Sequence, residues 1–390
     1  LDKWFSQSFD VFPRTRIVFG PGKLDELGTY ALDCGMTKVL VVSDSGLVKA
    51  GHVDRALSIL HKAGLEARCH TGVHENPTDA DVAECVASAK AMDCDGLIGL
   101  GGGSSLDTAK GCNFVLTNGG RMEDYRGYGK AKKPMLPLIA VPTTAGTGSE
   151  CQSYALIANE QTHQKMACGD PKAAAKIALL DPELTLTQPA LVTADTGMDT
   201  IGHAVEAAVT RRGHALSRMY AFQSFKLGQA NLPKVLENQM DLEARAAMQL
   251  AAALGGLAIE TSMLGAAHSA ANPLTAHFNV IHGQAVAIML PHVVAFNAQE
   301  TEAKEIYAEL SRHAGLADAG DSPQLAVTRL VDRLELLLRG TGFAYQLAKH
   351  GVRATDLPKL ADEAAGQWTA QFNPRTVQAD DFQELYRQAL

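Results

Sequence analysis

Asp199 and His203 stand four residues apart in the run Asp199-Thr200-Ile201-Gly202-His203. On a helix such positions lie one turn apart on the same face, so a carboxylate and an imidazole there can serve one metal ion. Farther along, GAAHSAANPLTAHFNVIHG carries His268, His277 and His282 beside the small residues Ala267, Ser269 and Gly283. Small neighbours leave room for a metal, a cofactor and a substrate to approach closely. One aspartate with three histidines suits a borderline divalent ion such as Fe(II) or Zn(II). No ligating cysteine is obvious near the set. Histidines at such spacings serve equally well as hydrogen-bonded core or surface groups, so the spacing leaves both readings open.

A second signal lies upstream, in Gly101-Gly102-Gly103-Ser104-Ser105-Leu106-Asp107-Thr108-Ala109-Lys110, which follows the apolar run LIGL and leads into a helix. Glycines let a pyrophosphate approach the backbone without a Cβ clash, and the N–H groups at a helix start bind its oxygens. Ser104 or Ser105 adds a hydroxyl donor. The pattern is not G-x-G-x-x-G, because Leu106 holds the last glycine position, nor is it a GKS or GKT loop. A plain tight turn is the alternative. The loop Pro142-Thr143-Thr144-Ala145-Gly146-Thr147-Gly148-Ser149-Glu150 also follows an apolar strand. Its hydroxyls suit phosphate or ribose oxygens, or the capping of a helix start. Asp44, just past the first strong strand, can accept from both adenosine ribose hydroxyls and repel a 2′-phosphate, which favours NAD over NADP. A solvated turn aspartate would look the same. Together these pieces predict hydride transfer between a substrate carbon and a nicotinamide, with a divalent cation polarising the substrate oxygen.

The elements that must position these residues change character along the chain. KVLVVS at 38–43 is a strand, 51–63 has the period of an amphipathic helix, and GLEARCHTGV reads as a second strand. ADVAECVASAKAM is helical, while DGLIGLGG and PLIAVPTTAG are strands running into loops. Strand, loop and helix in repetition predict a parallel sheet with helical crossovers, in which ligands bind outside the carboxyl ends of the strands. From Pro189 onward, Ala- and Leu-rich periodic segments at 197–211, 213–232, 241–262, 283–297, 302–314 and 323–338 predict a helical half. A boundary near residue 185 gives an α/β nucleotide-binding domain over 1–185 and an all-α metal-binding domain over 186–390.

The 390 residues, 46% of them hydrophobic and 20% charged, have ordinary globular composition. A net charge of -8 gives no electrostatic reason to expect nucleic acid or an anionic membrane as partner. The seven cysteines include no CxxC pair, so a reducing compartment is expected. The opening LDKWFSQSFDVFPRTRIVFG lacks the features of a secretory signal, and no stretch reads as about 18 to 20 apolar residues. A soluble cytoplasmic protein is the expectation.

The ordered motifs FGPGKLDELG at 19–28, ENPT at 75–78, GGGSSLDTAK at 101–110, PTTAGTGSE at 142–150, LLDPELT at 179–185, TADTGMDTIGHAVEA at 193–207 and HGQAVAIMLPHVVAFN at 282–297 resemble the iron-containing, or group III, alcohol dehydrogenases. FNPRTVQADDFQELYRQA also fits that family's ending, so the resemblance covers nearly the whole chain. It implies a dehydroquinate-synthase-like fold and a metal-activated NAD(P)-dependent interconversion of a small alcohol and its aldehyde or ketone. By position, Asp199, His203, His268 and His282 match the four metal ligands. Gly102, Gly103 and Ser104 match the pyrophosphate loop, with Asp107 in the same motif, and Thr143, Thr144, Thr147 and Ser149 match cofactor contacts. Asp44 matches the position associated with NAD preference, Asn76 one that lines the cofactor cleft, and Lys165 a lysine near the ribose.

One position departs from that pattern. Many members carry a histidine four residues after the third ligand, near the nicotinamide. Here Asn272 stands there, and an amide cannot titrate near neutral pH. The proton must then leave through water, a ribose hydroxyl or His277. The departure alternatively marks a different substrate, since the family includes diol dehydrogenases, maleylacetate reductases and hydroxyacid–oxoacid transhydrogenases. The resemblance also implies a homodimer or larger homo-oligomer.

Overall fold

The computed structural model describes residues 8–162 and 164–390. Residues 1–7, part of the opening read above for a leader, lie outside the described residues, as does His163. Two compact units emerge, one of Phe12–Gln188 and one of Pro189–Leu390 joined by the segment 8–11. Phe9, in that segment, stacks on the ring of His214 with centroids 4.5 Å apart.

In the first unit, β1 (Arg16–Phe19) and α1 (Leu27–Asp33) lead to β2 (Lys38–Val42), the short α2 (Ser45–Lys49), α3 (His52–Lys62) and β3 (Glu66–His70). There follow α4 (Asp79–Ala91), β4 (Gly96–Gly101), α5 (Gly103–Asn118), β5 (Gly127–Tyr128), β6 (Leu138–Pro142), β7 (Tyr154–Ala158), β8 (Lys165–Gly169) and β9 (Ile177–Leu180). The main sheet has the order β1-β9-β6-β4-β2-β3, and every pairing in it is parallel. Parallel strands covered on both faces are apolar throughout rather than alternating, and β4 and β6 are buried at every residue. Val39, Val41, Ile98, Leu100, Ile139 and Val141 pack with α1 and α3 on one face. Leu40, Val42, Leu97, Leu138 and Ala140 pack with α4 and α5 on the other. The chain runs from β2 outward to β3 and returns to pair β4 on the opposite side of β2. That reversal leaves a crevice at the carboxyl ends of adjacent strands, where dinucleotides bind in such folds. Asp44, the glycine run and the threonine-rich loop follow the ends of β2, β4 and β6 respectively.

A smaller sheet, β5-β8-β7, was not legible in the sequence. Its β7 and β8 pair antiparallel across 154–158 and 165–169, and the two-residue β5 carries no periodicity to read.

The second unit is helical: α6 (Ala190–Val209), α7 (Ala215–Glu237), α8 (Leu242–Thr261), α9 (Ala266–Phe278), α10 (His282–Asn297), α11 (Thr301–His313), α12 (Pro323–Gly340), α13 (Leu357–Ala365) and α14 (Ala379–Ala389). The periodic segments named above foresaw six of these, whereas α9, α13 and α14 were absent from that reading. Pro273 lies inside α9, and a proline there removes a backbone donor and reads as a stop signal, although the helix runs on through it. One expectation needs correction. Among the described residues, α8 is long and apolar enough to cross a membrane by length and composition. Within this protein 61% of its most apolar window is buried, and α8 packs against α6 and α7. Its Arg245 is buried and donates to Gln239 O and Thr193 Oγ1. These are properties of a core helix.

Candidate metal centre and dinucleotide loops

The helical unit gathers three histidines around one carboxylate oxygen. Asp199 and His203 sit one turn apart on α6, with His203 Nε2 3.3 Å from Asp199 Oδ1. His268, in the first turn of α9, brings its Nε2 to 3.3 Å from the same oxygen. His282 opens α10 with its Nε2 at 3.8 Å. The rings of His203 and His268 stack at 4.9 Å, and His268 and His282 lie 5.5 Å apart. Local packing explains the convergence. A Cβ on Gly283 would lie 2.0 Å from the carbonyl oxygen of Asp195, so the first turn of α10 rests directly on α6. The Asp195 carboxylate then accepts the N–H of Gln284 at 3.0 Å.

This donor set fits a divalent cation. Ligand atoms of Asp199, His268 and His282 lie within 4.8 Å of one another. Metal–ligand bonds of about 2.1 Å place neighbouring donors roughly 3.4 Å apart in a tetrahedral shell, close to the observed spacings. The electrostatics point the same way. Burial opposes ionisation of Asp199, yet the histidines around it hold its carboxyl far below the usual range. Burial pushes His268 down, but hydrogen bonds to Asp199 and Glu206 and their charges outweigh it and raise its pKa to about 9. Packed together, these groups favour positive charge beside the Asp199 carboxylate, which a bound cation also supplies.

Glu206 was missed in the sequence. It faces His268 from the far side, with Oε2 2.5 Å from Nδ1, and Oε1 accepts the N–H of Ala267 at 2.6 Å. A signal was present: Asp199, His203 and Glu206 follow an i, i+4, i+7 spacing that places them on one face of α6.

Asn272 lies one turn beyond His268 on α9 and donates Nδ2–H to Gln367 Oε1 at 3.0 Å. His277 is not brought to the cluster. It lies about 13 Å along the helix axis from His268, exposed at the last turn, with Nε2 2.7 Å from Glu363 Oε2.

In the α/β unit the two loops interlock. Gly102 caps α5, and Gly103 begins it. A Cβ on Gly103 would lie 2.6 Å from Thr147 Cγ2, so only glycine lets the loops meet there. Gly102 faces Thr144, and Thr143 N–H donates to Gly101 O at 3.0 Å. Ser104 is half-buried at the helix start, where exposed N–H groups suit an anion. Asp107 and Ser149 are turned inward. The Ser149 hydroxyl donates to Asp107 Oδ1 at 2.5 Å, and Leu156 N–H donates to Oδ2 at 3.0 Å. The fully buried Lys110 ammonium donates to Ser149 O, Ser149 Oγ and Tyr154 O. Asp44 caps α2 through Oδ1, which accepts from Gly46 and Leu47 N–H. Asn76 has a positive φ of 54° in the exposed turn before α4. Pro77 beside it bonds Ala158, whose partner across β7–β8 is the exposed Lys165, so Asn76 and Lys165 share one edge of this unit.

Comparison with known proteins agrees with this architecture. The iron-containing alcohol dehydrogenase family matches residues 13–182, and the C-terminal region of the same family matches residues 193–390. An NAD-dependent methanol dehydrogenase from Bacillus methanolicus is 35% identical over 373 residues, covering 96% of this chain and 97% of its own. The crystal structure of a 1,3-propanediol oxidoreductase superposes with a TM-score of 0.95 at 32% identity, covering 98% of this chain and 100% of that one. An alcohol dehydrogenase from Oenococcus oeni gives a TM-score of 0.94 at 32% identity with the same coverage. By both halves of its sequence, its fold and its Asp/His/His metal-binding site, the chain is an oxidoreductase that belongs to the iron-containing alcohol dehydrogenase family.

Proposed function

We propose that this chain oxidises a small primary alcohol or short diol, and reduces the corresponding aldehyde, with NAD as hydride carrier and Fe(II) held by Asp199, His203, His268 and His282. The observation that carries this reading is the convergence of three imidazole nitrogens on Asp199 Oδ1. When bound, the cation supplies Lewis acidity and the dinucleotide supplies the hydride acceptor. Zn(II) suits the same donors, so the metal is a question for reconstitution. Support for a small substrate comes from the methanol dehydrogenase and the 1,3-propanediol oxidoreductase to which the chain is similar.

Each residue then has a task. Gly102, Gly103 and Ser104 offer backbone and hydroxyl donors to the pyrophosphate, and Thr143, Thr144 and Thr147 line it from the second loop. Asp107 and Ser149 act by holding that loop, since they bond each other. Asp44 has its Oδ2 available to a ribose hydroxyl while Oδ1 caps α2. Asn76 and Lys165 serve the cofactor from the shared edge. Asn272 is an amide with its Nδ2–H bonded to Gln367, so it orients a neighbour and relays no proton. With His277 engaged by Glu363, the alcohol proton leaves through water or a ribose hydroxyl.

The test is anaerobic NAD reduction by metal-stripped protein reconstituted separately with Fe(II), Zn(II), Mn(II) and Ni(II), against primary alcohols, diols and 2-hydroxy acids. Fe(II)-dependent turnover of a short alcohol or diol is expected. Turnover confined to 2-hydroxy acids would overturn the substrate class. Asp44→Gly is expected to lower the preference for NAD over NADP about tenfold or more, corresponding to roughly 1.4 kcal/mol. An unchanged ratio of cofactor efficiencies would remove Asp44 as the selector.

A further inference from the structure

We infer that Glu206 is a positioning residue for metal binding, whose carboxylate fixes the first turn of α9 and turns His268 so that Nε2, and not Nδ1, faces the ion. This rests on the reading of Asp199, His268 and His282 as metal ligands. Glu206 is 2% exposed, and its carboxylate meets several groups of α9 at once. Oε1 accepts the N–H of Ala267 at 2.6 Å, while Oε2 faces the His268 N–H at 3.4 Å and the ring Nδ1 at 2.5 Å. The start of a helix leaves its first N–H groups without intrahelical partners and carries partial positive charge, so a buried carboxylate is favourable there. The residue before α9 cannot cap it, because Gly265 has no side chain. A Cβ there would lie 3.1 Å from Glu206 Oε1 and 2.9 Å from Asn373 Oδ1, so these two residues cap α9 from outside.

The two caps differ in one respect. Asn373 Oδ1 accepts the N–H of Ala266 at 3.2 Å, and its amide is otherwise bonded to Asn297 and Arg375 O. Of the two, only Glu206 reaches the imidazole. A neutral histidine has one protonated and one bare ring nitrogen, and only the bare one can bind a metal. A carboxylate is solely an acceptor, so a hydrogen bond at 2.5 Å requires the proton on Nδ1 and leaves Nε2, 3.3 Å from Asp199 Oδ1, to the ion. A side chain that merely capped α9 would need one acceptor for Ala267. An acceptor-only oxygen against Nδ1 is what the metal requires, and such partners typically change metal affinity 10- to 100-fold.

The test compares wild type, Glu206→Gln, Glu206→Asp and Asn373→Ser. The apo proteins are titrated with Zn(II) and Fe(II) against a competing chelator, and apo unfolding is followed in parallel. Glu206→Gln keeps an oxygen for Ala267 but places an amide N–H₂ against Nδ1, which drives the ring proton onto Nε2. It is expected to weaken metal binding 10- to 100-fold with apo unfolding close to wild type. Glu206→Asp keeps the charge but withdraws it by one methylene, and its affinity should fall in between. Asn373→Ser should lower apo stability and leave metal affinity within twofold of wild type. If Glu206→Gln does not fold, Glu206→Asp and Asn373→Ser decide the matter. Wild-type affinity in the Glu206 variants, or equal losses in Asn373→Ser, would overturn the inference. A wild-type protein that binds no divalent metal would instead overturn the ligand assignment beneath it.

Discussion

At the scale of single residues, the sequence reading found the groups that carry charge or lone pairs into the site better than it found those that hold them. Asp199 with His203 was visible because an i, i+4 pair of ligand types is informative by itself. Glu206 was not, because a glutamate on an Ala-rich helix reads as a solvated face until the distances to Ala267 and His268 are known. Asp107 shows the same limit: within GGGSSLDTAK it reads with the cofactor motif, yet its Oδ1 accepts from the inward-turned Ser149 hydroxyl. Glu150, next in the chain, is fully buried, and its Oε1 has no hydrogen-bond partner among the described residues. Burial raises its pKa from the ordinary 4.5 to about 7, against a lowering influence from Lys110. Because the folded pKa is the higher one, the folded state retains this proton at pH values where the unfolded chain has released it. The contribution to stability is therefore full below pH 4.5 and is lost as pH rises to about 7. It amounts to at most about 1.4 kcal/mol per pH unit and about 3 kcal/mol in all. Urea unfolding at pH 5, 6, 7 and 8 should show Glu150→Gln gaining on wild type as pH rises to about 7. A gap that stays constant across that range would contradict the assignment.

At the scale of elements, the parallel strands were legible because β4 and β6 are continuous apolar runs that end in glycines or threonines. The long helices were legible by period. Other features were not. The smaller sheet depends on pairing between 154–158 and 165–169, which no local pattern announces. Helix α9 was hidden by Pro273, although it carries His268. Helix α8 is legible by period over 241–262, but no stretch of the sequence reads as about 18 to 20 apolar residues, whereas α8, Arg245 included, is long and apolar enough to cross a membrane by length and composition. The docking of α10 on α6 offers a test at this scale. Gly283→Ala would set a methyl group 2.0 Å from Asp195 O, a backbone atom with no rotamer to relieve the contact. The helices must separate, moving His282 from Asp199. Overpacking of this kind typically costs about 1–3 kcal/mol. The variant should lose both thermal stability and metal affinity, as read by differential scanning calorimetry and chelator competition. Wild-type metal affinity in a destabilised Gly283→Ala protein would show that the α6–α10 contact does not set the ligand geometry.

At the scale of the whole molecule, sequence pattern was sufficient for the division of labour between an α/β half and a helical half. Both halves match the same family. The segment 8–11 grouping with the helical unit was not foreseen, since Phe9 meets His214 across some two hundred residues of chain. A net charge of -8 says nothing of the three histidines gathered around the buried Asp199, which only the fold brings together. In the proposed function these side chains hold one divalent ion on which hydride transfer to the dinucleotide depends. The most direct measurement is a titration of Fe(II) into apo wild type and apo His268→Ala, with bound metal, NAD affinity and alcohol-dependent NAD reduction read on the same samples. Wild type is expected to bind one ion per chain, with turnover rising in proportion. His268→Ala is expected to lose the metal and most turnover while retaining NAD affinity. Undiminished turnover in the metal-free wild type, or in metal-free His268→Ala, would rule out a metal-dependent reaction at these residues.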